Sequence, residues 1–329
     1  MLRACLTLIA STLLLGCQPA PRPAGGQLPA PSKAPPAVPS VQVMPVSSEL
    51  KASAMNELQT ALGSPDRFVR AHAIETAAGS VGPPAFRDII RGLTDPAPVA
   101  RFASAMACGD LKLKAAREPL LRLLNDPDTD VRVAVRYALH RLGDTRFSRF
   151  LEKSAVDTDA HIRANTVVVL GKLGEASALK ILREMTSDPQ AQVRLQVAEA
   201  MWRLGERSGL EDLVAGTLSA YPDDQMLCIM ALATGNDPSI IQHVRTKLVS
   251  DYIQIRLTAA RAMGVLGSDE GYTIAMTATR APDPRLRAMA ALALGAIRRA
   301  DSQDALSPLL KDPTPDVRLA AAGAILRLR

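Results

Sequence analysis

The sequence predicts an all-α fold, a right-handed α-solenoid of about nine 31-residue helix–turn–helix units. Three observations support this: an arginine recurs at a fixed spacing, a turn signal precedes it, and apolar residues follow it with the period of an α-helix. A repeat of this length indicates a stacked architecture, because one unit alone cannot bury its apolar face. Nine units fit between about Glu49 and Arg329.

The recurring arginine fixes the register, and we number the units by it. Gln225, in unit six, keeps the spacing but replaces the arginine. The turn before Gln225 is also irregular, with its proline displaced to Pro222 and a charged Asp224 in an otherwise apolar slot, so we expect an interruption there. The other eight slots, separated by 31 residues or by twice 31, are Arg70, Arg101, Arg132, Arg163, Arg194, Arg256, Arg287 and Arg318.

A turn precedes each arginine slot. Six residues before it stands an aspartate or a serine in most units, as in Asp126 and Ser219, and a proline often follows, as in Pro127. Proline cannot continue a preceding helix but suits the turn after it. Upstream segments such as REPLLRLLND, residues 117–126, carry leucines three or four apart, which predicts the first helix of the unit.

The second helix of each unit begins near the arginine. Apolar or small residues lie one position before it and three, six, seven and ten positions after it, which is one face of an α-helix. The slot six residues on is alanine in seven units, so two helix backbones should approach closely there. A glycine then closes the helix in four units, at Gly143, Gly174, Gly205 and Gly267.

This order of leucine-rich helix, Asp-Pro, Val-Arg, alanine-rich helix and Leu-Gly resembles the HEAT repeat. It is most similar to the short bacterial HEAT-like type that is also found in phycobilisome lyases. The resemblance covers about 280 residues and implies a solenoid of HEAT-like repeats. It implies little about function, because such repeats serve scaffolds, lyases, hydroxylases and nucleic-acid enzymes.

The N-terminal segment belongs to a different class of sequence. A short positive start and the apolar run over residues 4–15 predict a signal peptide at residues 1–16, too short to span a bilayer as a stable helix. The run ends in LLGC, which resembles the bacterial lipobox and implies cleavage before Cys17 and acylation of its thiol and α-amine. Three acyl chains would exceed the two signals that stable anchoring needs. An ordinary secreted protein or an uncleaved anchor is the alternative.

Residues 17–48 are predicted to be the lipidated cysteine and a disordered tether, and residues 49–329 the repeat domain. Nine prolines in the 31 residues from Gln18 to Ser48, with few large apolar side chains, leave nothing to form a core. An extended chain of about 3.1 Å per residue would reach up to roughly 90 Å. Gln18, where inner-membrane lipoproteins of enteric-type bacteria carry aspartate, implies the outer membrane, facing the periplasm.

Composition and spacing argue against nucleic-acid binding and catalysis. The net charge is +6, but eight of the basic residues are the register arginines, interpreted as a structural ladder paired with the aspartate six residues earlier. Four tyrosines, five phenylalanines and one tryptophan offer little surface for stacking bases. Cys108 and Cys228 are predicted core residues, too far apart for a disulfide. The histidines are scattered, and no metal, cofactor or catalytic site is predicted.

The remaining possibility is a binding surface, because the second helices of a solenoid line its concave side. Slots two, five and nine residues after the arginine are expected to face solvent. Trp202 stands where most units have glycine or alanine, and it is either a filler over its own helix or an exposed anchor. The predicted partner-binding residues are Met106, Tyr137, His140, Val168, Glu199, Trp202, Arg203 and Met230.

The predicted function is therefore a non-catalytic protein–protein interaction scaffold in the bacterial cell envelope. Its partner is a protein of unknown identity, lipid holds it at the membrane, and it uses no nucleic acid and no cofactor. The alternative is a lyase- or isomerase-like enzyme of this repeat type, or a chaperone-like factor, acting on a bound protein or small ligand.

Overall fold

The computed structural model describes residues 46–235 and 239–328, apart from the side chains of residues 147–149. Within these ranges the regular structure consists of α-helices and short 3-10 helices, without a β-strand, which confirms the predicted all-α class. The predicted signal peptide, Cys17 and nearly all of the tether lie outside the described residues.

Each unit contributes an outer helix, a turn and an inner helix. The outer helices are Ser48–Leu62 (α1), Phe86–Arg91 (α3), Arg117–Arg122 (α5), Ser148–Ser154 (α7), Leu179–Glu184 (α9), Arg207–Gly216 (α11), Ile240–Arg245 (α13), Tyr272–Ala278 (α15) and Gln303–Leu306 (α17). The inner helices are Arg67–Ser80 (α2), Pro98–Asp110 (α4), Thr129–Arg141 (α6), Ala160–Leu173 (α8), Ala191–Arg203 (α10), Pro222–Leu232 (α12), Ile253–Val265 (α14), Pro284–Ile297 (α16) and Pro315–Arg327 (α18).

Most outer helices are extended by 3-10 turns, which keep the chain helical while it changes direction. These turns are Pro83–Ala85, Gly92–Thr94, Lys114–Ala116, Leu123–Asn125, Thr145–Phe147, Ala176–Ala178, Met185–Ser187, Thr246–Val249, Ala300–Ser302 and Pro308–Lys311.

The side chain six residues before the arginine stabilises the turn between the outer and the inner helix. Asp126 Oδ1 accepts the backbone N–H of Asp128 at 3.0 Å, and Asp128 in turn caps α6 by accepting the N–H of Val131 at 3.1 Å. In unit six the hydroxyl of Ser219 accepts the N–H of Tyr221 at 3.2 Å. Short polar side chains favour such turns because they satisfy backbone donors locally.

Neighbouring inner helices pack closely, and small residues permit the approach. A Cβ atom added at Gly171 of α8 would lie 2.8 Å from the Cα of Ala200 in α10. Ala200 occupies one of the slots that carry alanine in seven units, so the predicted close approach of backbones is confirmed there. Larger side chains at this contact would push adjacent units apart.

The stack of inner helices closes on itself. The last inner helix, α18, packs against α1 and α2 of unit one. Arg318 Nε lies 2.7 Å from Glu57 Oε1, and His72 Nδ1 lies 3.4 Å from Asp316 Oδ1. Units one and nine, which lie at opposite ends of the sequence, therefore contact each other at a seam.

Helix α1 joins both ends of the chain through two of its faces. Leu58 and Ala61 belong to the apolar core of the N-terminal units. Ala54 belongs to the core of the C-terminal units, and Leu50 packs against that core. The nine units thus form a closed ring, in which α1 contributes to the apolar cores of both ends of the chain.

Candidate functional site

The inner-helix face that was expected to be solvent-exposed is largely buried. Met106, Tyr137, Glu199 and Met230 all stand five residues after their register slot, and each is at most 6% exposed. Val168, in the same slot, is half-buried. The expectation that these slots face solvent is wrong, because residues in them pack against neighbouring inner helices, as the ring of Tyr137 does against Gly109 of α4.

A polar cluster from three units occupies one part of this interior. The hydroxyl of Tyr137 donates to Asp110, and Lys172 Nζ lies 2.9 Å from the other carboxylate oxygen of Asp110. Burial, together with the charge of Asp110, raises the pKa of Tyr137. The cluster links units two, three and four, so Tyr137 contacts its own chain rather than an open surface.

Two arginines lie on the opposite part of the interior. Burial lowers the pKa of Arg261 to about 10, while the carboxylate of Glu75, in unit one, opposes this change. Burial, and then the charges of Arg261 and Arg298, lower the pKa of Arg327 to about 10. Since these groups come from units one, seven and nine, charges that are far apart in the sequence influence one another in the ring interior.

The remaining predicted partner residues also have partners within the chain. Arg203 Nη2 lies 2.9 Å from Glu199 on the same helix, and His140 Nε2 lies 3.1 Å from Glu175. Both Arg203 and His140 are half-buried. These contacts hold inner helices and loops together, and they leave little of the predicted site accessible to a second protein.

Trp202 is half-buried and reaches forward onto the next unit. Its indole Nε1 donates to the carbonyl of Leu232 at 3.3 Å, at the end of α12, and its ring lies against Gly235. The tryptophan therefore bridges units five and six, whereas the sequence placed it either over its own helix or in solvent. An indole satisfies a terminal carbonyl and fills apolar space in one step.

The register arginines lie along the edge of the ring that carries the turns, which we call the ladder edge. Arg163 Nε and Nη2 donate to both carboxylate oxygens of Asp188 at 2.7 and 2.9 Å, and its Nη1 donates to the carbonyl of Asp157 at 2.8 Å. The residue six positions earlier thus supplies its backbone carbonyl, and the carboxylate comes from the next unit. The expected pairing within one unit is wrong.

The same bidentate guanidinium–carboxylate pairing, which we call the fork, joins four pairs of adjacent units. A related arginine–glutamate pair closes the seam. Bidentate pairs of this kind are strong because two charge-assisted bonds share one planar geometry. At the seam, where unit one has Ser64 in place of the aspartate, Arg318 pairs with Glu57 instead. The four bidentate pairs are Arg70–Asp95, Arg101–Asp126, Arg163–Asp188 and Arg287–Asp312.

Three register arginines form no ion pair among the described residues, namely Arg132, Arg194 and Arg256. In the next unit, the position that carries the pairing aspartate elsewhere is Ser219 for Arg194 and Ala281 for Arg256, so neither arginine has an aspartate there to pair with. Gln225 keeps part of the pattern, because its Nε2 donates to the carbonyl of Ser219 at 2.7 Å. The predicted interruption around unit six thus affects the carboxylate contacts and leaves the carbonyl contact intact.

Four large apolar side chains protrude from the ladder edge beside this interruption, and we call them the ladder-edge patch. Leu218 and Val249 are 76% and 83% exposed, and Tyr221 and Tyr252 are 71% and 55% exposed. They occupy equivalent slots in units six and seven. Sequence reasoning missed them, although the other seven units carry no tyrosine in the slot of Tyr221, a signal visible once the register is known.

The described part of the chain has neither a metal-binding cluster nor a membrane-spanning helix. Residues 46–235 and 239–328 contain no cluster of His, Cys, Asp or Glu that could hold a metal ion. Over that part of the chain, no helix is long and apolar enough to cross a bilayer. Cys108 and Cys228 are buried and free, as predicted, and burial raises the pKa of each thiol to about 12.

Stacked helix–turn–helix units with an arginine ladder along one edge define an α-helical repeat protein. A family model for HEAT repeats matches residues 86–166, 150–233 and 273–329. The chain belongs to the HEAT-repeat family, which confirms the resemblance noted from the sequence. A search of curated proteins found no significant match.

Several solved structures are similar to the chain. Human deoxyhypusine hydroxylase in complex with glycerol is 21% identical, over 73% of this chain and 94% of that chain, with a TM-score of 0.39. The complex of CpcE and CpcF of phycocyanin lyase from Nostoc sp. PCC7120 is 18% identical, over 77% and 97%, with a TM-score of 0.44. Kap121p is 14% identical, over 84% and 37%, with a TM-score of 0.34. All three TM-scores lie below 0.5.

Proposed function

We propose that this protein is a lipid-anchored lipoprotein of the bacterial envelope whose repeat ring is a non-catalytic scaffold for protein–protein interaction. The observation that carries the scaffold role is the ladder-edge patch. Single exposed apolar residues are common on soluble proteins, whereas four of them exposed on two adjacent turns are typical of an interaction site. Tyrosine is also enriched among the residues that dominate binding energy at interfaces.

The ladder edge is a better docking surface than the interior of the ring. Residues of the interior such as Tyr137 and Met106 are 1% and 2% exposed, so a partner could reach them only after the ring opened. Equivalent slots in adjacent stacked helices lie roughly 10 Å apart. The two pairs Leu218–Tyr221 and Val249–Tyr252 can therefore contact a single partner element at the same time.

The membrane part of the proposal rests on the sequence before residue 46. The apolar run, the LLGC motif and the proline-rich segment together support a lipidated Cys17 and a tether. Gln18, which follows the cysteine, supports placement in the outer membrane, facing the periplasm. A tether of this length would let the ladder edge meet a partner at a distance from the bilayer. A lyase- or isomerase-like activity is the alternative function.

Cys17→Ala is expected to abolish lipid attachment and to leave an uncleaved or mislocalised precursor. The reason is that the thiol is the acylated group in lipoproteins of this type, and acyl chains supply the membrane affinity. Incorporation of labelled palmitate and membrane fractionation would measure this, with Cys5→Ala as the matched control. If wild type takes up no palmitate and the Cys17 variant fractionates like wild type, the anchor is not this cysteine.

A photoreactive p-benzoylphenylalanine at Leu218 is expected to cross-link one discrete protein partner in cells, because this position lies in the patch. The control places the same residue at Thr94, which is exposed in the equivalent slot of unit two and lies outside the patch. Affinity isolation followed by mass spectrometry reads out the product. Identical products from both positions, or none from position 218, would contradict docking at the patch. Recovery of a small pigment or metal instead would favour the enzyme alternative.

A further inference from the structure

The arginine ladder contains two unoccupied carboxylate-binding positions next to the patch. We call each complete arginine–aspartate pair of the ladder a rung. In a rung, one guanidinium nitrogen is held by the carbonyls of its own turn, and the other two nitrogens face the next unit. Arg101 shows this arrangement, with Nη1 at 2.9 Å from the carbonyl of Asp95, and Nε and Nη2 at 2.8 and 2.9 Å from the carboxylate of Asp126.

Arg194 and Arg256 keep the fixed half of this arrangement. Arg194 Nη1 donates to the carbonyl of Asp188 at 2.7 Å, and Arg256 Nη1 donates to the carbonyl of Ser250 at 2.6 Å. Neither guanidinium has a carboxylate within 4.0 Å among the described residues, and Arg194 is exposed. Each guanidinium group is therefore held in place by its own turn, and its other two nitrogens are open toward the next unit.

The open forks and the apolar patch lie at the same turns. In the complete pairs, the carboxylate belongs to the residue 25 positions after the arginine, and after Arg194 that residue is Ser219. Ser219 directly follows the exposed Leu218 and lies two residues before the exposed Tyr221. Arg256 is bonded to the turn that carries Val249 and Tyr252. A bound segment that covers the patch would therefore pass within reach of both guanidinium groups.

We propose that the occupant of the patch is a segment of a second protein in which a carboxylate adjoins large apolar side chains. The carboxylate completes the pair of Arg194, and the apolar side chains pack on the patch. This inference rests on the scaffold function proposed above. Charge-assisted bidentate pairing supplies orientation as well as affinity, which distinguishes such a segment from a merely apolar one.

The surrounding charges narrow this chemistry. Residues 1–45 contain no Asp or Glu, so the chain's own N-terminal segment cannot supply the carboxylate from a side chain. Asp224 accepts the hydroxyl of Ser219 at 3.0 Å, and Asp223 and Asp251 are exposed nearby. These acids would repel a run of acidic residues, so the site selects isolated carboxylates flanked by apolar residues.

Ser219→Asp is the decisive variant, because it gives Arg194 a carboxylate from its own chain, in the same relative position in which Arg163 has Asp188. Ser250→Asp is the matched control: it adds the same charge in the same slot one unit later, but it follows Gln225, which cannot form the fork. Arg194→Gln is a second variant that copies the folded arrangement of Gln225 and removes the fork.

The probes are short fluorescein-labelled peptides in which one aspartate is flanked by leucine and tyrosine, and matched peptides with asparagine. We expect the aspartate peptides to bind more tightly, and Ser219→Asp and Arg194→Gln to weaken that binding about tenfold or more, with a much smaller effect of Ser250→Asp. Equal binding of the two peptide types, equal effects of both serine variants, or no binding of either peptide would overturn the inference.

The cross-link from position 218 separates this inference from the proposed function. Loss of the cellular cross-link in Ser219→Asp, but not in Ser250→Asp, supports a carboxylate-bearing partner. A cross-link that persists unchanged in Ser219→Asp overturns the inference and leaves the scaffold intact. A product that contains two copies of this chain overturns the assignment to a second protein. If the parent protein gives no cross-link at all, the proposed scaffold function is itself contradicted.

Discussion

Ala54→Glu is expected to open the ring at the seam between α1 and α18. Ala54 is fully buried in the core that α1 shares with the C-terminal units. An uncompensated carboxylate at such a position costs of the order of 3–5 kcal/mol, and parting of the seam would let water solvate it. Since units in a repeat protein are stabilised mainly by their neighbours, we expect the seam to part before the remaining units unfold.

Hydrogen exchange and small-angle scattering would detect this opening. The expected signs are faster exchange in α1, α2 and α18 and a larger radius of gyration, with little change in α8 and α10. Ala52→Glu is the matched control, because residue 52 lies on the same helix and is exposed. A variant at residue 54 that keeps the exchange pattern and dimensions of wild type would show that the seam tolerates a charge.

Arg163→Ala is expected to lower the free energy of unfolding by about 3–5 kcal/mol, because it leaves the carboxylate of Asp188 buried without its partner. The side chains of Arg163 and Asp188 are only 12% and 6% exposed. Denaturant unfolding measures the change. Arg194→Ala is the control, since Arg194 makes the same contact to a turn carbonyl but has no carboxylate partner, and we expect a loss of about 1 kcal/mol.

The Arg163 effect should depend on pH in one direction. The hydrogen bond from Arg163 holds the pKa of Asp188 below its ordinary value, against the opposing effect of burial. A carboxyl group with a depressed folded-state pKa contributes stability above its unfolded-state pKa, about 3.9, and loses it as the pH falls through the folded-state pKa. The difference between wild type and Arg163→Ala should therefore shrink in acid, and a constant or growing difference would contradict this origin.

The ladder shows how far sequence reasoning reaches. The register identifies all eight arginines and the aspartates near them, because both recur with the repeat. It assigned the wrong partner, since the aspartate six residues earlier is nearest along the chain. The structure pairs Arg163 with Asp188, 25 residues later, because stacking places the turn of the next unit beside the guanidinium fork.

The candidate sites differ in the same way. A repeat pattern indicates which residues of a helix share a face, and Tyr137, Glu199 and Arg203 do lie on the inner helices as expected. Whether that face is open or covered depends on how closely the other inner helices approach, which no single repeat records. Tyr221 and Tyr252 were overlooked because they lie in turns, where helical periodicity gives no guidance.

The sequence by itself determined the period, the two helices of each unit, the turns between them and the apolar face along which units stack. All of these depend on interactions within about one repeat, which recur and can therefore be read from the pattern. The tertiary structure alone decided that the stack closes and that its inner face is buried. The reason is geometric: a small rotation between neighbours accumulates over nine units, and only the sum determines whether α18 meets α1 or the two ends remain apart.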